Sequence, residues 1–295
     1  MVLPKAEFDL QKGRPEIDSK DYTIVADSCC DMTPELRARL NVVSIPLTIL
    51  LGEEMFSDDD TLDFPAFMEK MKNYTGKTTT AAPSPQLYQK AYEAAGSSFA
   101  VTLSSQLSGS YESAELGKKL AEKESSAKVH VFDSKSATAG EVLVALEVKE
   151  MVDAGHPWDK IVSSIEDFIH SMKTYFVLES LENLVKNGRM NKIVGEIVTL
   201  LSIKPVLGSD GEGNIALFGS TRKRQIAEKL ASLVQKSGRD TKGKNMVITH
   251  CNNPSLAEKL KEVIEARYAF KEILIVATRG ISSVYANEGG IVMAF

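Results

Sequence analysis

Residues 102–111 read Thr-Leu-Ser-Ser-Gln-Leu-Ser-Gly-Ser-Tyr and connect a short apolar run to an amphipathic segment. The run Phe99–Leu103 predicts a strand, and the spacing of small and apolar residues predicts a helix over Ser110–Glu124. Ser108 or Ser110 can cap this helix, which leaves other hydroxyls and the first-turn amides facing the space beyond the strand. Because helix amides and the helix dipole favour negative charge, the turn suits an anion. A turn whose hydroxyls only cap the helix is the alternative interpretation.

Two more apolar runs end in a polar turn that precedes a predicted helix, at Asp27-Ser28 and at Asp133-Ser134. Alternation of strand, turn and helix is typical of a parallel sheet, whose ligands lie outside the carboxyl ends of the strands. We therefore expect these two turns and Ser104-Ser105 to share one edge of the sheet. The pattern predicts an α/β domain with a Rossmann-like parallel sheet over residues 21–172, after a loosely held N-terminal extension over residues 1–20.

The pattern changes beyond residue 172. A short helix is expected to stop at Asn187-Gly188-Arg189, and an apolar helix is predicted over residues 191–202. The runs Ile203–Leu207 and Ile215–Phe218 flank a glycine-rich turn and predict a hairpin. A helix with a basic start is predicted over residues 221–234. Together with further strands, these elements predict an α+β domain over residues 173–295.

The local structure of three other segments in the first half can also be predicted. The extended run Val42–Leu51 contains Pro46, which favours an edge strand. The carboxylates of Asp58–Asp60 and Asp63 predict a solvated loop in preference to a cation site. Residues 78–85 are rich in hydroxyls and predict a loop that leads into a capped helix.

Composition limits the classes of function. The 295 residues carry a net charge of −5 and include 43% hydrophobic types, which favours two domains with a sizeable core. Because the basic residues form no long run, binding to nucleic acid by charge alone is not expected. The three cysteines have the spacing neither of a disulfide framework nor of a usual metal pair. Since we find neither an uninterrupted membrane span nor a secretory signal, we expect a cytoplasmic protein.

A serine-dependent hydrolase that uses Ser28 or Ser105 is one hypothesis for a chain with serines at several strand ends. No G-x-S-x-G elbow is present, and of the four histidines only His250 is predicted to end a strand near a cleft. Covalent catalysis is therefore weakly supported, and nucleotide binding is weakly supported because the glycine-rich phosphate motifs are absent. Hydroxyls, helix amides and Arg189 remain, a set that can bind a carboxylate without transforming it. A binder of another small carboxylate or of a phosphate is a further alternative.

Several short motifs occur in an order that is specific in combination. The signature Ser-Ser-x-Leu-Ser-Gly-Thr is matched by residues 104–110, with Ser110 in place of the final threonine. The other motifs are the Asp-Ser pairs at 27–28 and 133–134, Pro46-Leu47, Gly188-Arg189 and Lys204-Pro205. On these motifs the chain resembles the DegV family of bacterial fatty-acid-binding proteins, over nearly its whole length from about Tyr22 to Phe295.

The resemblance implies a two-domain protein of the EDD fold that holds one long-chain fatty acid at the domain junction, with the tail buried. Carried over by motif, the carboxylate contacts fall on Thr80 and Ser105, with Ser104 adjacent and Arg189 near the entrance. The remaining candidate ligand-binding residues are Ser28, Tyr285 and Asn287. The resemblance implies no catalytic residue, no metal and no cofactor beyond the bound acid. It also implies a lipid-transport role beside a separate fatty acid kinase, which phosphorylates the bound acid to an acyl phosphate for phospholipid synthesis.

Two loops depart from the family pattern. The family's Thr-Ser-Gln-Pro-Ser loop is Thr-Ala-Ala-Pro-Ser at residues 80–84, which removes one hydroxyl and one amide. The family's His-x-Gly-Pro-Gly turn begins here with Tyr285 and contains Asn287 and Glu288. Tyr285 can donate one hydrogen bond but cannot carry positive charge, and Glu288 adds a negative charge beside an acidic ligand. The apolar residues of segment 193–201 are expected either to line a tunnel for the tail or to form plain core.

Overall fold

The structure is a computed structural model that describes residues 22–190 and 203–295. The predicted N-terminal extension over residues 1–20 and the predicted apolar helix over residues 191–202 lie outside the described residues. The apolar residues expected to line a tail tunnel belong to that helix and lie outside them as well.

Strands and helices alternate along the first half of the chain. In order, the elements are β1 (Thr23–Asp27), α1 (Pro34–Leu40), β2 (Val42–Ile45), β3 (Thr48–Leu51), β4 (Glu54–Ser57), α2 (Phe64–Asn73), β5 (Thr78–Ala81), α3 (Pro85–Ala95), β6 (Ser97–Thr102), α4 (Ser110–Glu124), β7 (Lys128–Asp133), α5 (Ala139–Asp153) and α6 (Trp158–Ser171). The strand and the helix expected around residues 102–111 are therefore confirmed.

The second half contains more consecutive strands. Its described elements are β8 (Thr174–Val177), α7 (Glu182–Lys186), β9 (Ile203–Ser209), β10 (Ile215–Arg222), α8 (Ile226–Lys236), β11 (Asn245–His250), α9 (Pro254–Glu265), β12 (Glu272–Ala277), α10 (Gly280–Ala286) and β13 (Ile291–Ala294). The hairpin expected around the glycine-rich turn is confirmed as the antiparallel pair β9–β10.

Across the described ranges, the strands form three sheets. The first sheet has the order β2-β1-β6-β7 and is parallel throughout. A small antiparallel sheet has the order β4-β3-β5, and the second large sheet has the mixed order β10-β9-β8-β13-β11-β12. This arrangement confirms the expected α/β fold with one parallel sheet and a separate mixed sheet. The division into domains at residues 21–172 and 173–295 stays a prediction.

The three polar turns meet at one edge of the first sheet, as expected. Strands β1, β6 and β7 are parallel neighbours, so their carboxyl ends lie side by side. The N–H of Leu103 donates to Asp27 over 2.9 Å, and the Ser105 hydroxyl donates to Asp133 over 2.5 Å. We call the residues of these turns, 27–28, 104–105 and 133–134, the rim.

Two expectations about the first half are corrected by the small sheet. The run Val42–Leu51 divides at Pro46 into β2, which is the expected edge strand, and β3, which is the central strand of the small sheet. The loop expected over residues 78–85 is wrong for its first four residues, which form β5 and place Thr80 opposite Ile49. Threonine is β-branched and favours strands, so an available edge on β3 turns the hydroxyl-rich run into sheet.

Two further expectations were wrong. The helix predicted over residues 221–234 begins only at Ile226, because β10 continues to Arg222 in register with Ile203 and a single 3₁₀ turn follows. The loop of acidic residues after β4 is not fully solvated, since Asp58 is only 5% exposed. Its carboxylate accepts the N–H of Ile281, a contact between distant parts of the chain that local sequence does not reveal.

Helix α5 is the layer between the two large sheets. Ten of its residues are buried, as expected for a helix that is covered on all sides. It contacts β1 and β6 of the first sheet and β11 and β13 of the second. Phe99, Leu143 and Val292 accordingly belong to one hydrophobic cluster that includes residues of both sheets and of the helix.

Candidate ligand-binding site

A cavity of about 110 Å³ lies beside the start of α5, between the turns that follow strands of the first sheet and residues of the second sheet. Nearly all of its lining surface is apolar. Contributors are Leu107 after the rim, Ala137 before α5, Phe176 on β8, Ile215 on β10 and Ile281 on α10. Its volume is several times the roughly 10–15 Å³ that a single water needs, so it has room for a chain of apolar groups.

Tyr285 and Thr80 form a hydroxyl pair at this cavity. Tyr285 lines the cavity from α10, and its oxygen lies 2.8 Å from Oγ1 of Thr80 on β5, which is 205 residues away in sequence. Both side chains are half-buried. Within such a pair one hydroxyl donates to the other, so one O–H remains available to a ligand. We call these two residues the hydroxyl pair.

Arg189 brings positive charge to the same cavity. The helix α7 ends at Lys186. Gly188 follows with a φ of 74°, which glycine adopts without strain, and Arg189 comes next. Nε of Arg189 donates to the carbonyl of Leu107 over 3.1 Å, and Nη1 donates to the carbonyl of Asn187 over 2.6 Å. These bonds fix the guanidinium at the lining, where it can meet a carboxylate.

The two serines of the signature have protein partners. Ser104 is fully buried, and its hydroxyl donates to the carbonyl of Gly213 in the β9–β10 turn over 2.9 Å. Ser105 bonds to Asp133 through both its hydroxyl, at 2.5 Å, and its N–H, at 3.2 Å. Neither side chain is part of the cavity lining. Their contacts connect the rim to β7 and to the second sheet.

Ser28 and Asn287 are engaged in a similar way. The Ser28 hydroxyl accepts the N–H of Leu47 over 3.0 Å. Asn287 donates from Nδ2 to the carbonyls of Ser180 and Tyr285, over 3.4 and 3.3 Å. Of the seven candidate residues, the structure therefore brings Thr80, Tyr285 and Arg189 together at the cavity and places the other four around it.

Asp27 is the polar centre of the rim. It is fully buried and accepts three hydrogen bonds, from the N–H of Cys29 at 3.1 Å, the N–H of Leu103 at 2.9 Å and the Ser110 hydroxyl at 2.5 Å. Burial raises its pKa, and these donors oppose the rise. For the equally buried Glu141, burial and the charge of Asp27 raise the pKa well above its ordinary value.

Two carboxylates at the start of α10 were missed by the sequence analysis. Asp31 accepts the N–H of Arg279, and Asp58 accepts the N–H of Ile281, each over 2.9 Å. Burial raises the pKa of Asp58 to about 6, although the donors from Ile281 and Ser28 oppose the rise. The available signal was the acidic run itself, but its partners lie more than 200 residues further along the chain.

The partners of Ser28 and Ser105 differ from those of the nucleophilic serine in a hydrolase. Ser105 faces Asp133, and Ser28 faces the Leu47 amide. His250, the histidine expected near a cleft, accepts the N–H of Asn253 at Nδ1 over 3.2 Å. Among residues 22–190 and 203–295, no group of three or more His, Cys, Asp or Glu side chains is placed to hold a metal ion. Within the same ranges, no helix has the length and apolar character needed to cross a membrane.

Comparison with known sequences decides the family, since the profile of the DegV family matches residues 21–295. The chain belongs to the DegV family. A DegV domain-containing protein of Streptococcus pyogenes serotype M3 is 34% identical over 278 residues, which cover 93% of this chain and 99% of the relative. The resemblance inferred from the motifs is thereby confirmed.

Solved DegV structures share the fold. A DegV protein from Ruminococcus gnavus, described with vaccenic acid, is 38% identical with a TM-score of 0.89 and covers 93% of this chain and 99% of its own. The fatty acid kinase B3 protein of Streptococcus pneumoniae, loaded with linoleic acid, is 34% identical with a TM-score of 0.85, covering 93% of this chain and 98% of its own. Both likenesses extend over the two large sheets that flank the cavity.

Proposed function

We propose that this chain binds one long-chain fatty acid in the cavity between the two large sheets. The carboxylate meets the hydroxyl pair and Arg189, and the tail extends along the apolar lining. The observation that carries the proposal is this combination, an apolar cavity whose lining includes Tyr285, bonded to Thr80, and the guanidinium of Arg189. The bound acid is a ligand, and the chain itself performs no chemistry on it.

The energetics favour a ligand with a long tail. Each CH₂ group removed from water contributes roughly 0.8 kcal/mol, so a long chain in an apolar cavity gains several kcal/mol. A carboxylate taken out of water needs donors that replace its hydration. The free O–H of the hydroxyl pair and the N–H groups of Arg189 are donors of that kind. A small carboxylate or phosphate would leave most of the apolar lining unused.

Tyr285 gives this site a different balance of charge from one with histidine at the same position. A tyrosine hydroxyl supplies a hydrogen bond and no positive charge. In our proposal, the positive charge opposite the carboxylate therefore comes from Arg189. The carbonyls of Leu107 and Asn187 hold that guanidinium in place before any ligand arrives, which reduces the ordering cost of binding.

A separate fatty acid kinase is the partner in this proposal. The relative from Streptococcus pneumoniae is called a fatty acid kinase B3 protein and holds linoleic acid, which supports a role in presenting the bound acid for phosphorylation. A cytoplasmic location belongs to the same proposal. The free, buried thiols of Cys29, Cys30 and Cys251 are compatible with a reducing compartment.

The test is native mass spectrometry of the purified protein, followed by denaturation and identification of the released lipid. We expect one fatty acid per chain. In parallel, oleic acid affinity is measured for Thr80→Val/Tyr285→Phe and for Ser105→Ala. Because a hydrogen bond to a charged group contributes about 1.5–3 kcal/mol, the double variant should bind about 10- to 100-fold more weakly.

The matched variant Ser105→Ala tests the motif-based assignment of Ser105. Unchanged affinity supports the head-group site at the hydroxyl pair. A loss in Ser105→Ala without a loss in the double variant would move the carboxylate to the rim and overturn our placement. A wild-type protein that is empty and does not take up oleic acid would overturn the proposed function itself.

A further inference from the structure

Helix α10 carries ligand-facing residues from a distant part of the chain to the cavity. Ile281, Ser282, Tyr285 and Ala286 all line it. The helix has only seven residues, so its position depends on what holds its ends. Its first turn is held by two buried carboxylates of the first half, Asp31 and Asp58.

The contact between Asp58 and the helix start is unusually close. Oδ2 of Asp58 accepts the N–H of Ile281 over 2.9 Å, while the N–H of Asp58 donates to the carbonyl of Leu47, also over 2.9 Å. A Cβ on Gly280 would lie 1.8 Å from Oδ1 of Asp58, so this approach requires glycine. Asp31 accepts the preceding donor, the N–H of Arg279.

We propose that Asp58 is a positioning residue of the fatty-acid site, whose charged carboxylate holds the start of α10 so that Tyr285 meets Thr80. Loss of that charge loosens the helix and weakens ligand binding, which makes retention of the fatty acid dependent on pH. This inference rests on the proposed function. In this inference Asp58 acts by positioning Tyr285 and does not contact the ligand itself.

Physical chemistry supports a difference between the two charge states. A carboxylate forms a hydrogen bond about twice as strong as a neutral acceptor does, and negative charge is favoured at a helix start. A protonated carboxyl group loses both advantages, so the hydrogen bond from Ile281 favours the charged form of Asp58, although burial of the group in the fold as a whole favours the neutral form. Burial raises the pKa of Asp58 to about 6, which brings this change into the range between neutral and mildly acidic pH.

Several ionisable groups lie near Asp58. The titratable and charged groups near it are Asp27, Cys30, Asp31, Arg37, Asp59, Asp60 and Arg279. Arg279 favours the charged form of Asp58, whereas Asp27 disfavours it. Asp60 bonds to Arg37 at 2.5 Å and lies 3.6 Å from Arg279, and its side chain is 64% exposed. Asp60 therefore offers a control carboxylate in the same neighbourhood that makes no contact with the helix amides.

The experiment measures displacement of a fluorescent fatty acid by oleic acid for wild type, Asp58→Asn and Asp60→Asn, between about pH 5 and pH 8. The ligand's own carboxyl group titrates in all three proteins. The ratio of the dissociation constants of a variant and of wild type at the same pH therefore isolates the contribution of the substituted residue. We expect Asp58→Asn to bind about five- to tenfold more weakly than wild type at pH 8. That ratio should approach one near pH 5, and Asp60→Asn should follow wild type throughout.

A double-mutant cycle provides the second measurement. In Gly280→Ala the new Cβ collides with the Asp58 carboxylate, so this variant should lose affinity to a similar extent at pH 8. With Asp58→Ala already present, Gly280→Ala should add little, because the colliding atoms are gone. The inference would be overturned if the losses of affinity in Asp58→Ala and Gly280→Ala were additive. It would also be overturned if the ratio of the affinities of wild type and Asp58→Asn stayed constant with pH.

The two proposals fail in different ways. Wild type that does not bind oleic acid at pH 8 contradicts the proposed function. Wild type that binds, together with Asp58→Asn that binds equally well at pH 8, contradicts only the role of Asp58. A merely structural role would lower the melting temperature of Asp58→Asn at pH 8 together with its affinity. Our inference expects the affinity to fall without such a loss, because a neutral side chain avoids the burial of charge.

Discussion

The rim of the first sheet and the hydroxyl pair are both polar, but their bonding differs. On the rim, Ser104 and Ser105 donate to Gly213 and Asp133. At the hydroxyl pair, Thr80 and Tyr285 bond to each other and keep an O–H free. The comparison teaches that a motif rich in hydroxyls marks the place of a site without showing which of its groups touch the ligand.

The origin of the difference lies in the backbone. Parallel strands that end side by side leave amides and helix starts that need acceptors, and a buried backbone donor without a partner is costly. Asp27 accepts two such donors, the N–H groups of Cys29 and Leu103, together with the Ser110 hydroxyl. The hydroxyl pair joins a short strand to a short helix from distant parts of the chain, and its two side chains bond to each other.

The largest expected effect comes from breaking the rim at its centre. Asp27→Ala leaves the buried N–H groups of Cys29 and Leu103 without an acceptor and removes the bond from Ser110, so it should lower the free energy of unfolding by about 3–5 kcal/mol. Urea denaturation followed by circular dichroism measures the change. Asp153→Ala, which removes only an exposed pair with Lys149, should change it by less than about 0.5 kcal/mol. Equal effects of the two variants would show that Asp27 is not central to the rim.

The second prediction concerns the pH dependence of stability through Asp58. Burial raises its pKa in the folded protein from the ordinary value of 3.8 to about 6, so between these pH values the folded state binds more protons than the unfolded chain. Stability from this group is fully present below about pH 4 and is lost as pH rises through about 6, a change of about 3 kcal/mol. Asp58→Asn should lack this decline. Urea denaturation at several pH values checks it, and parallel curves for both proteins would contradict the prediction.

The third prediction sharpens the assignment of charge at the cavity. Arg189→Ala removes the guanidinium from the lining and should weaken oleic acid binding about 10- to 100-fold. The control is Lys186→Ala on α7, whose ammonium pairs with Glu182 on the exposed face. It should leave the affinity within about twofold. Isothermal titration calorimetry measures both, and a similar loss in the two variants would mean that general positive charge matters more than this position.

The smallest effect is expected on the rim itself. Ser105→Ala removes one hydrogen bond to Asp133, while the N–H of residue 105 can still donate to the same carboxylate. We expect a loss of about 1 kcal/mol in the free energy of unfolding and no change in the affinity for oleic acid. Thermal melting and ligand titration on the same sample check both parts. Lower affinity with unchanged melting would place Ser105 among the ligand contacts.

The sequence predicted the parallel sheet and the shared edge of its polar turns because both follow from local pattern. The strand around Phe99, the helix that starts at Ser110 and the hairpin after Ile203 were all predicted from spacing and turn residues. In the candidate site, Arg189 was noted because it follows a predicted helix stop. Thr80 and Tyr285 were predicted from the family resemblance. The hydrogen bond between Thr80 and Tyr285 joins a strand and a helix that no local pattern connects.

Other features depend on pairing partners that sequence spacing does not specify. Residues 78–81 became a strand because β3 offers an edge, and β10 continued to Arg222 because it pairs with Ile203. The burial of Asp58 follows from α10, more than 200 residues away. Local propensity cannot anticipate such contacts, since tertiary context overrides it.

The position of α5 bears on whether the protein can be divided. The helix belongs to the first half of the chain, yet Asn245 of β11 donates to both Glu147 and Glu150 on it, over 3.3 and 2.9 Å. A cut after residue 172 would leave one long side of this apolar helix in water. We therefore expect the two halves to unfold as one cooperative unit, with the slowest amide exchange in α5 reporting unfolding of both.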